Sequence, residues 1–217
     1  KKIISKNFLD GANLINKNSN LETFIKIKIN EKNSEVIFFS NSALKFVEKF
    51  NFGNNLLIND ISKILAIKNE NIEKILFNLK FSNLDLDKDF IEREYFDGQN
   101  FRKIKKKLIY EIAKARIEEI AEIIFFNNIN LANLKEKKFI IFLEIKDLSN
   151  MKCFEDIYKN VFSRENTHII NFIHQYKMDE IYETAHNLVQ YGWKKEAVPV
   201  IHEKKSLISR LFDKIFN

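Results

Sequence analysis

Four glycines and a single proline serve all 217 residues of this sequence. Glycine is what lets a backbone hug a phosphate or take a left-handed turn, so glycine-rich ligand-cradling loops are excluded over most of the chain. The lone cysteine, Cys153, rules out an internal disulfide framework and fits a reducing cytoplasm. It reads as a small buried hydrophobe in a helical context. No apolar run approaches the roughly 18–20 residues that span a bilayer. The four histidines, His168, His174, His186 and His202, hold no metal-ligand spacing with one another or with Cys153. H-E-x-x-H, G-x-S-x-G and P-loop patterns are all missing, so the familiar routes to metal-assisted, acyl-transfer and P-loop chemistry have no footing.

What remains is a globular composition, 45% hydrophobic, long enough for one full domain or two small lobes. The formal net charge is +6, from 36 Lys and Arg against 30 Asp and Glu. A basic balance suits nucleic acid or an anionic membrane, but here Lys is spread along the chain and interleaved with acids, so no nucleic-acid partner is expected. A chain that opens on Lys1 is expected to be a piece of a longer protein.

Periodicity gives an order of elements. Residues 23–29 alternate apolar and polar, residues 36–40 form a second β-rich run, and residues 43–52 alternate again. Three strands joined by short turns make an antiparallel meander. Gly53-Asn54-Asn55 breaks the pattern, and two helices follow, the second starting at Asn69 with Glu70 and Glu73 behind it. Residues 82–100 are polar and irregular, with a strand candidate over 90–96. Residues 101–127 read as the longest helix, with Ile104, Leu108, Ile112, Ile120, Ile123 and Ile124 as its apolar stripe. A buried strand over 138–145, a helix over 153–162, a strand over 167–173 and a helix over 181–191 complete the body. The class is α/β, a mixed sheet covered by helices.

That order and its wording resemble the second half of the actin-like cell-division family FtsA. Asn51-Phe52-Gly53-Asn54-Asn55-Leu56-Leu57-Ile58-Asn59-Asp60-Ile61 is similar to the family's glycine turn and Thr-Asn-Asp-Ile helix start. Ile112-Ala113-Lys114-Ala115-Arg116-Ile117-Glu118-Glu119-Ile120 is similar to its long helix. The resemblance covers residues 20–217 and implies an actin-like, ribonuclease H-like lobe over 21–81 and 117–192. It further implies a small inserted lobe over 82–116, a tether over 193–203 and an amphipathic membrane helix over 204–217, with 1–20 a leader or loop remnant.

Actin-like ATPases hold phosphates with a D-x-G-x-x-x-T hairpin, whose glycines admit backbone amides to the phosphate and whose acid organises the metal. The matching positions are Lys28, Ile29, Asn30, Glu31, Lys32, Asn33 and Ser34, without the Asp and the glycines. The second phosphate loop falls on Glu144-Ile145-Lys146-Asp147, where Glu144 and Asp147 would repel an anion. Of the cofactor-binding positions only Gly53 and Glu73 remain, and each also reads simply as a turn glycine and a surface acid. ATP is therefore expected, if at all, only with a first half that this sequence lacks, and the chain reads as no enzyme.

Advancing 100° per residue from Leu207 sets Leu207, Ile208, Leu211, Phe212, Ile215 and Phe216 on one half of a helix. Ser206, Ser209, Arg210, Asp213, Lys214 and Asn217 fall on the other, with Lys204 and Lys205 before the start. This is the pattern of a helix lying in an anionic membrane interface, and equally of a helix docked on its own protein; the tether and the basic face favour the membrane. The family resemblance implies a non-catalytic adaptor at the division site, on the cytoplasmic face of the membrane. Its partner would be the C-terminal peptide of the tubulin-like protein FtsZ, held by Arg102 and Lys106, with self-association a further option. A PilM-like pilus-assembly scaffold and an actin-like ATPase are the alternatives.

Overall fold

A computed structural model describes residues 5–18, 20–78, 89–96, 100–134, 139–146, 154–164, 168–173 and 177–193. The chain divides into two compact units, residues 1–19 with 176–217, and residues 20–175.

The larger unit is built on one five-stranded sheet. Its strands are β1 (Phe24–Ile29), β2 (Ser34–Ser40), β3 (Ala43–Phe50), β4 (Ile140–Ile145) and β5 (Ile169–Phe172), ordered β3-β2-β1-β4-β5. The meander is antiparallel as its short turns require, whereas β1–β4 and β4–β5 are parallel, so the sheet is mixed. Asn41 and Ser42, with φ of 52° and 58°, make the two-residue β2–β3 turn, the left-handed pair whose twist suits a tight hairpin. The helices of this unit are α2 (Asn55–Leu65), α3 (Asn69–Asn78), α4 (Lys106–Ala121) and α5 (Glu155–Phe162).

One sheet face, carrying Ile25, Ile27, Ile29, Val36, Phe38, Ile141, Leu143 and Ile145, packs into a single core with apolar residues of α2 to α5. On the opposite face Phe24 stacks on Phe39 at 4.8 Å between ring centroids and meets Phe142 edge-on at 5.6 Å. Every residue of β1 is buried, although its sequence alternates Ile with Lys. Despite that alternation, β1 is a central strand buried on both sides. Lys26 and Glu144, 2% and 3% exposed, meet that burial by pairing at 2.8 Å. A buried charge needs such a partner, because leaving it alone costs several kcal/mol.

Two expectations change. Residues 90–96 hold no strand: Phe90 makes one isolated bridge to Lys105, and Arg93–Phe96 is a 3₁₀ turn. The longest helix of this unit begins only at Lys106, and after Ala121 it widens into a π-helical turn, Glu122–Phe126, closed by the Asn127 N–H on the Glu122 carbonyl at 2.7 Å. Its buried side is Ile109, Ile112, Ala113, Ile117, Ile120, Ala121 and Ile124, while Leu108 and Ile123 face outward. Residues 89–96 and 100–116 cluster with the sheet in the larger unit.

The smaller unit holds α1 (Lys6–Lys17) and α6 (Lys177–Trp193). The stretch read as a leader is thus a helix, with Leu9, Gly11 and Ala12 buried. Glu183 of α6 accepts a hydrogen bond from Asn13 Nδ2 at 2.8 Å and pairs with Lys17. Among the described residues no helix is long and apolar enough to cross a membrane.

Candidate functional site

The residues matched to the first phosphate loop, Lys28 to Ser34, run from the end of β1 through the β1–β2 turn to the start of β2. The β1–β2 turn is held by its own asparagines: Asn30 N–H donates to the Asn33 carbonyl at 2.8 Å, and Asn30 Nδ2 to Asn33 Oδ1 at 2.6 Å. Polar side chains that bond the nearby backbone are what a turn without glycine needs. Against it docks the head of α2. The N–H groups of Asn54 and Asn55 donate to the carbonyls of Asn30 and Glu31, each at 2.9 Å. The next two, of Leu56 and Leu57, donate to Gly53 and Asn54 at 3.2 and 3.0 Å. The leading N–H groups of a helix are its anion-binding equipment, and here the protein's own carbonyls occupy them.

Gly53 is the hinge of this docking. A Cβ built on it would stand 2.1 Å from the Asn30 carbonyl oxygen and 2.7 Å from that of Glu31. The glycine is required by backbone meeting backbone, with no ligand invoked. Ser34 Oγ donates to the Phe52 carbonyl at 2.8 Å, and Lys146 N–H, leaving β4, donates to Ile29 at 2.9 Å. From α5 the buried Tyr158 hydroxyl donates to Asn54 Oδ1 at 2.8 Å. Burial pushes the Tyr158 phenol well above its ordinary range, because a phenolate there would be stripped of water. The junction is also not perfectly satisfied: Asn54 Nδ2 and Asn55 Oδ1 are buried without a hydrogen-bond partner.

Lys28, at the position of the family's metal-organising Asp, is buried in register with Glu144. Glu144 itself is turned to Lys26. Its charge is therefore balanced inside the sheet rather than aimed at a ligand, which revises the repulsion expected of it; Asp147 lies outside the described residues. Glu73 stands exposed on α3.

Arg102 and Lys106 both have internal partners. Arg102 Nη2 donates to the Leu65 and Ala66 carbonyls, the latter at 3.1 Å. Those carbonyls end α2, where Ala66 takes the left-handed conformation at φ 48° and Ile67 N–H reaches back to Ser62 at 3.1 Å. Arg102 thus serves as a remote cap for a helix end closed without glycine. Lys106 Nζ bonds Glu92 Oε1 at 2.7 Å. Partial burial works to raise the Glu92 carboxyl, but the Lys106 ammonium outweighs it and holds the group below its usual value. Neither the Tyr158–Asn54 bond nor the Arg102 cap was foreseen from sequence, since each joins segments far apart in the chain.

The membrane positions Lys204, Lys205, Leu207, Ile208, Arg210, Leu211, Phe212, Lys214, Ile215 and Phe216, with residues 194–203 before them, lie outside the described residues. Among the described residues no cluster of His, Cys, Asp or Glu could hold a metal ion.

No protein-family model and no curated protein matches the sequence. Solved structures do match in shape. MreB5 of Spiroplasma citri, solved bound to ADP, is 16% identical with a TM-score of 0.51, over 85% of this chain and 58% of that one. The ethanolamine utilization protein EutJ from Carboxydothermus hydrogenoformans is 12% identical with a TM-score of 0.48, over 82% of this chain and 50% of that one. Component A of (R)-2-hydroxyglutaryl-CoA dehydratase from Acidaminococcus fermentans is 14% identical with a TM-score of 0.44, over 86% of this chain and 67% of that one. The chain spans about half the length of EutJ and under two thirds of MreB5. The fold is actin-like α/β.

Proposed function

We propose that this chain is a non-catalytic actin-like adaptor that links polymers of the division protein FtsZ to the cytoplasmic face of the membrane. The observation that carries the non-catalytic half is the closed head of α2. Its leading N–H groups are taken by the β1–β2 turn and by the first residues of the helix, and its glycine is filled by backbone. The residues at this junction do not fit a nucleotide. No amide among those four is left to meet a phosphate, and the fold's metal-organising position holds a buried lysine.

An actin-like fold without nucleotide chemistry is a scaffold, and what a scaffold does is set by what its ends bind. The supporting feature at the C-terminal end is the sequence from Lys204 to Asn217, whose six large apolar residues share one helical face. FtsZ as the polymer rests on the family resemblance. Because Arg102 and Lys106 are engaged internally, their role toward an acidic peptide would require them to exchange those partners.

Sedimentation with anionic vesicles tests the reading. FtsZ polymers should pellet with vesicles only when this chain is present, and the Leu211→Asp/Phe212→Asp double variant should leave them in solution. FtsZ that stays in the supernatant while the chain itself pellets would remove FtsZ as the partner.

A further inference from the structure

The parallel pairing of β1 with β4 has a register that neither a turn nor the apolar pattern fixes. Residues 30–139 lie between the two strands, whereas β1 and β2 are tied by the short turn at residues 30–33. On the helix-covered face Ile25, Ile27 and Ile29 stand beside Ile141, Leu143 and Ile145. A slide of two residues in either direction would still set apolar beside apolar, because side chains alternate with period two. The opposite face carries what differs. There Lys28 is flanked by Glu144 of β4 and Glu35 of β2, and Glu35 by Lys49 of β3, which reaches it at 3.2 Å. One row across four strands thus alternates in sign, and Lys26 joins it through Glu144 at 2.8 Å. Lys26, Lys28 and Glu144 are 2%, 6% and 3% exposed, so the inner part of this row is buried.

We infer that Lys26, Lys28 and Glu144 are the register key of this strand pair, a device that selects one arrangement rather than one that adds stability. In the native register Glu144 stands beside Lys28 and pairs with Lys26. Sliding β4 two residues toward the start of β1 keeps Glu144 beside Lys26 but brings Lys146 beside Lys28. Like charges side by side in a buried row are unfavourable. Sliding it the other way sets Phe142 beside Lys28 and Ile140 beside Lys26, and carries Glu144 past the end of β1. Two buried lysines then lose their acid, which burial makes costly. Only the native register satisfies all three groups. A buried ion set that is no more stable than apolar side chains can still specify register in this way. The choice reaches beyond the sheet. β1 ends in the turn on which α2 docks, and Lys146 N–H, leaving β4, donates to Ile29 beside that turn.

Two variants of the full chain test the key by heteronuclear NMR. Lys146→Glu changes an exposed position just past β4 and removes the like-charge opposition of the first slide. It should give β1 and β4 a second set of amide resonances, at roughly a tenth of the intensity or more, against a single set in the wild type. Interstrand NOEs of that second set should join Ile25 to Leu143 in place of Ile141. Lys26→Met/Lys28→Met/Glu144→Leu removes the key and keeps most of the side-chain bulk. Its urea midpoint should stay near that of the wild type, while its β1 and β4 amides report more than one register. A single native register in Lys146→Glu overturns the key. So does a neutral variant that folds with the native NOEs alone, since packing would then set the register by itself. Should the neutral variant fail to fold, Lys146→Glu decides the matter, because its substitution lies outside the core.

Discussion

Asn54 N–H donates to the carbonyl of Asn30 at 2.9 Å, fastening the head of a helix to a hairpin turn 24 residues upstream. The turn belongs to the stretch Lys28–Ser34 that the family resemblance matches to a phosphate hairpin, and the helix head docks against it. Here the backbone has closed on itself, and several properties of the protein depend on that closure.

Gly53 is the first. A methyl group there would sit 2.1 Å from the Asn30 oxygen, with backbone on the far side that cannot swing away. Gly53→Ala should destabilise the protein by at least about 3 kcal/mol, at the upper end of single substitutions, read from the urea midpoint. A glycine kept only for ligand approach would accept alanine in the free protein with little loss, so a near-neutral result would reopen the junction.

The ion pair Lys26–Glu144 makes a second prediction. Both groups are buried, so Lys26→Met alone strands a carboxylate and should cost about 3–5 kcal/mol. Lys26→Met combined with Glu144→Leu removes both charges and should recover most of that loss. A double variant as unstable as the single would mean that packing rather than charge pairing decides this part of the sheet.

Tyr158 predicts a dependence on pH. Its hydroxyl bonds Asn54, and burial holds the phenol protonated beyond its ordinary value near 10. Above about pH 10 the folded protein therefore binds more protons than the unfolded chain, and stability falls as pH rises. Tyr158→Phe should cost about 1–2 kcal/mol near pH 8, where Asn54 Oδ1 loses its donor. The gap between variant and wild type should narrow from about pH 10 upward, since only the wild type carries this titration. A gap that stays constant to pH 11 would show that the phenol ionises in place.

Much of this architecture was legible in the residues. The meander, the break at Gly53, the start of α3 at Asn69 and the alternation of strands and helices after residue 138 follow from period and punctuation. What was illegible is long-range. The pattern of Lys26 and Lys28 reads as a solvent-facing side, because sequence period cannot show that a strand will be covered twice. Arg102 reads as a surface cation because its acceptors, Leu65 and Ala66, belong to a helix end 36 and 37 residues away. The helix Lys6–Lys17 is poorly marked in the sequence because it carries Gly11, a weak helix former, and three asparagines, while two of its buried positions, Gly11 and Ala12, are small.

Magnesium nucleotide supplies a fourth check. A ligand at 100 times its Kd adds about 2.7 kcal/mol, which for a chain of this size lifts Tm by roughly 5–10 °C. Millimolar MgATP or MgADP should leave Tm unchanged within about 1 °C, well below that scale. A saturating rise would place a nucleotide on the chain and return the ATPase reading to consideration.

The adaptor reading stands or falls most directly on the binding of the full chain to anionic vesicles, compared with its Leu211→Asp/Phe212→Asp variant. Full burial of each large apolar residue of the tail would give on the order of 1.5–3 kcal/mol. Partial burial and the ordering of the helix take back much of that, while each cation near anionic lipid adds up to about 1 kcal/mol. Binding should accordingly be reversible, stronger on anionic than on neutral vesicles, and weakened by salt. The double variant should stay in solution while its Tm remains within about 4 °C of wild type. A variant that still pellets, or one that loses vesicle binding only because its body has melted, would contradict the account.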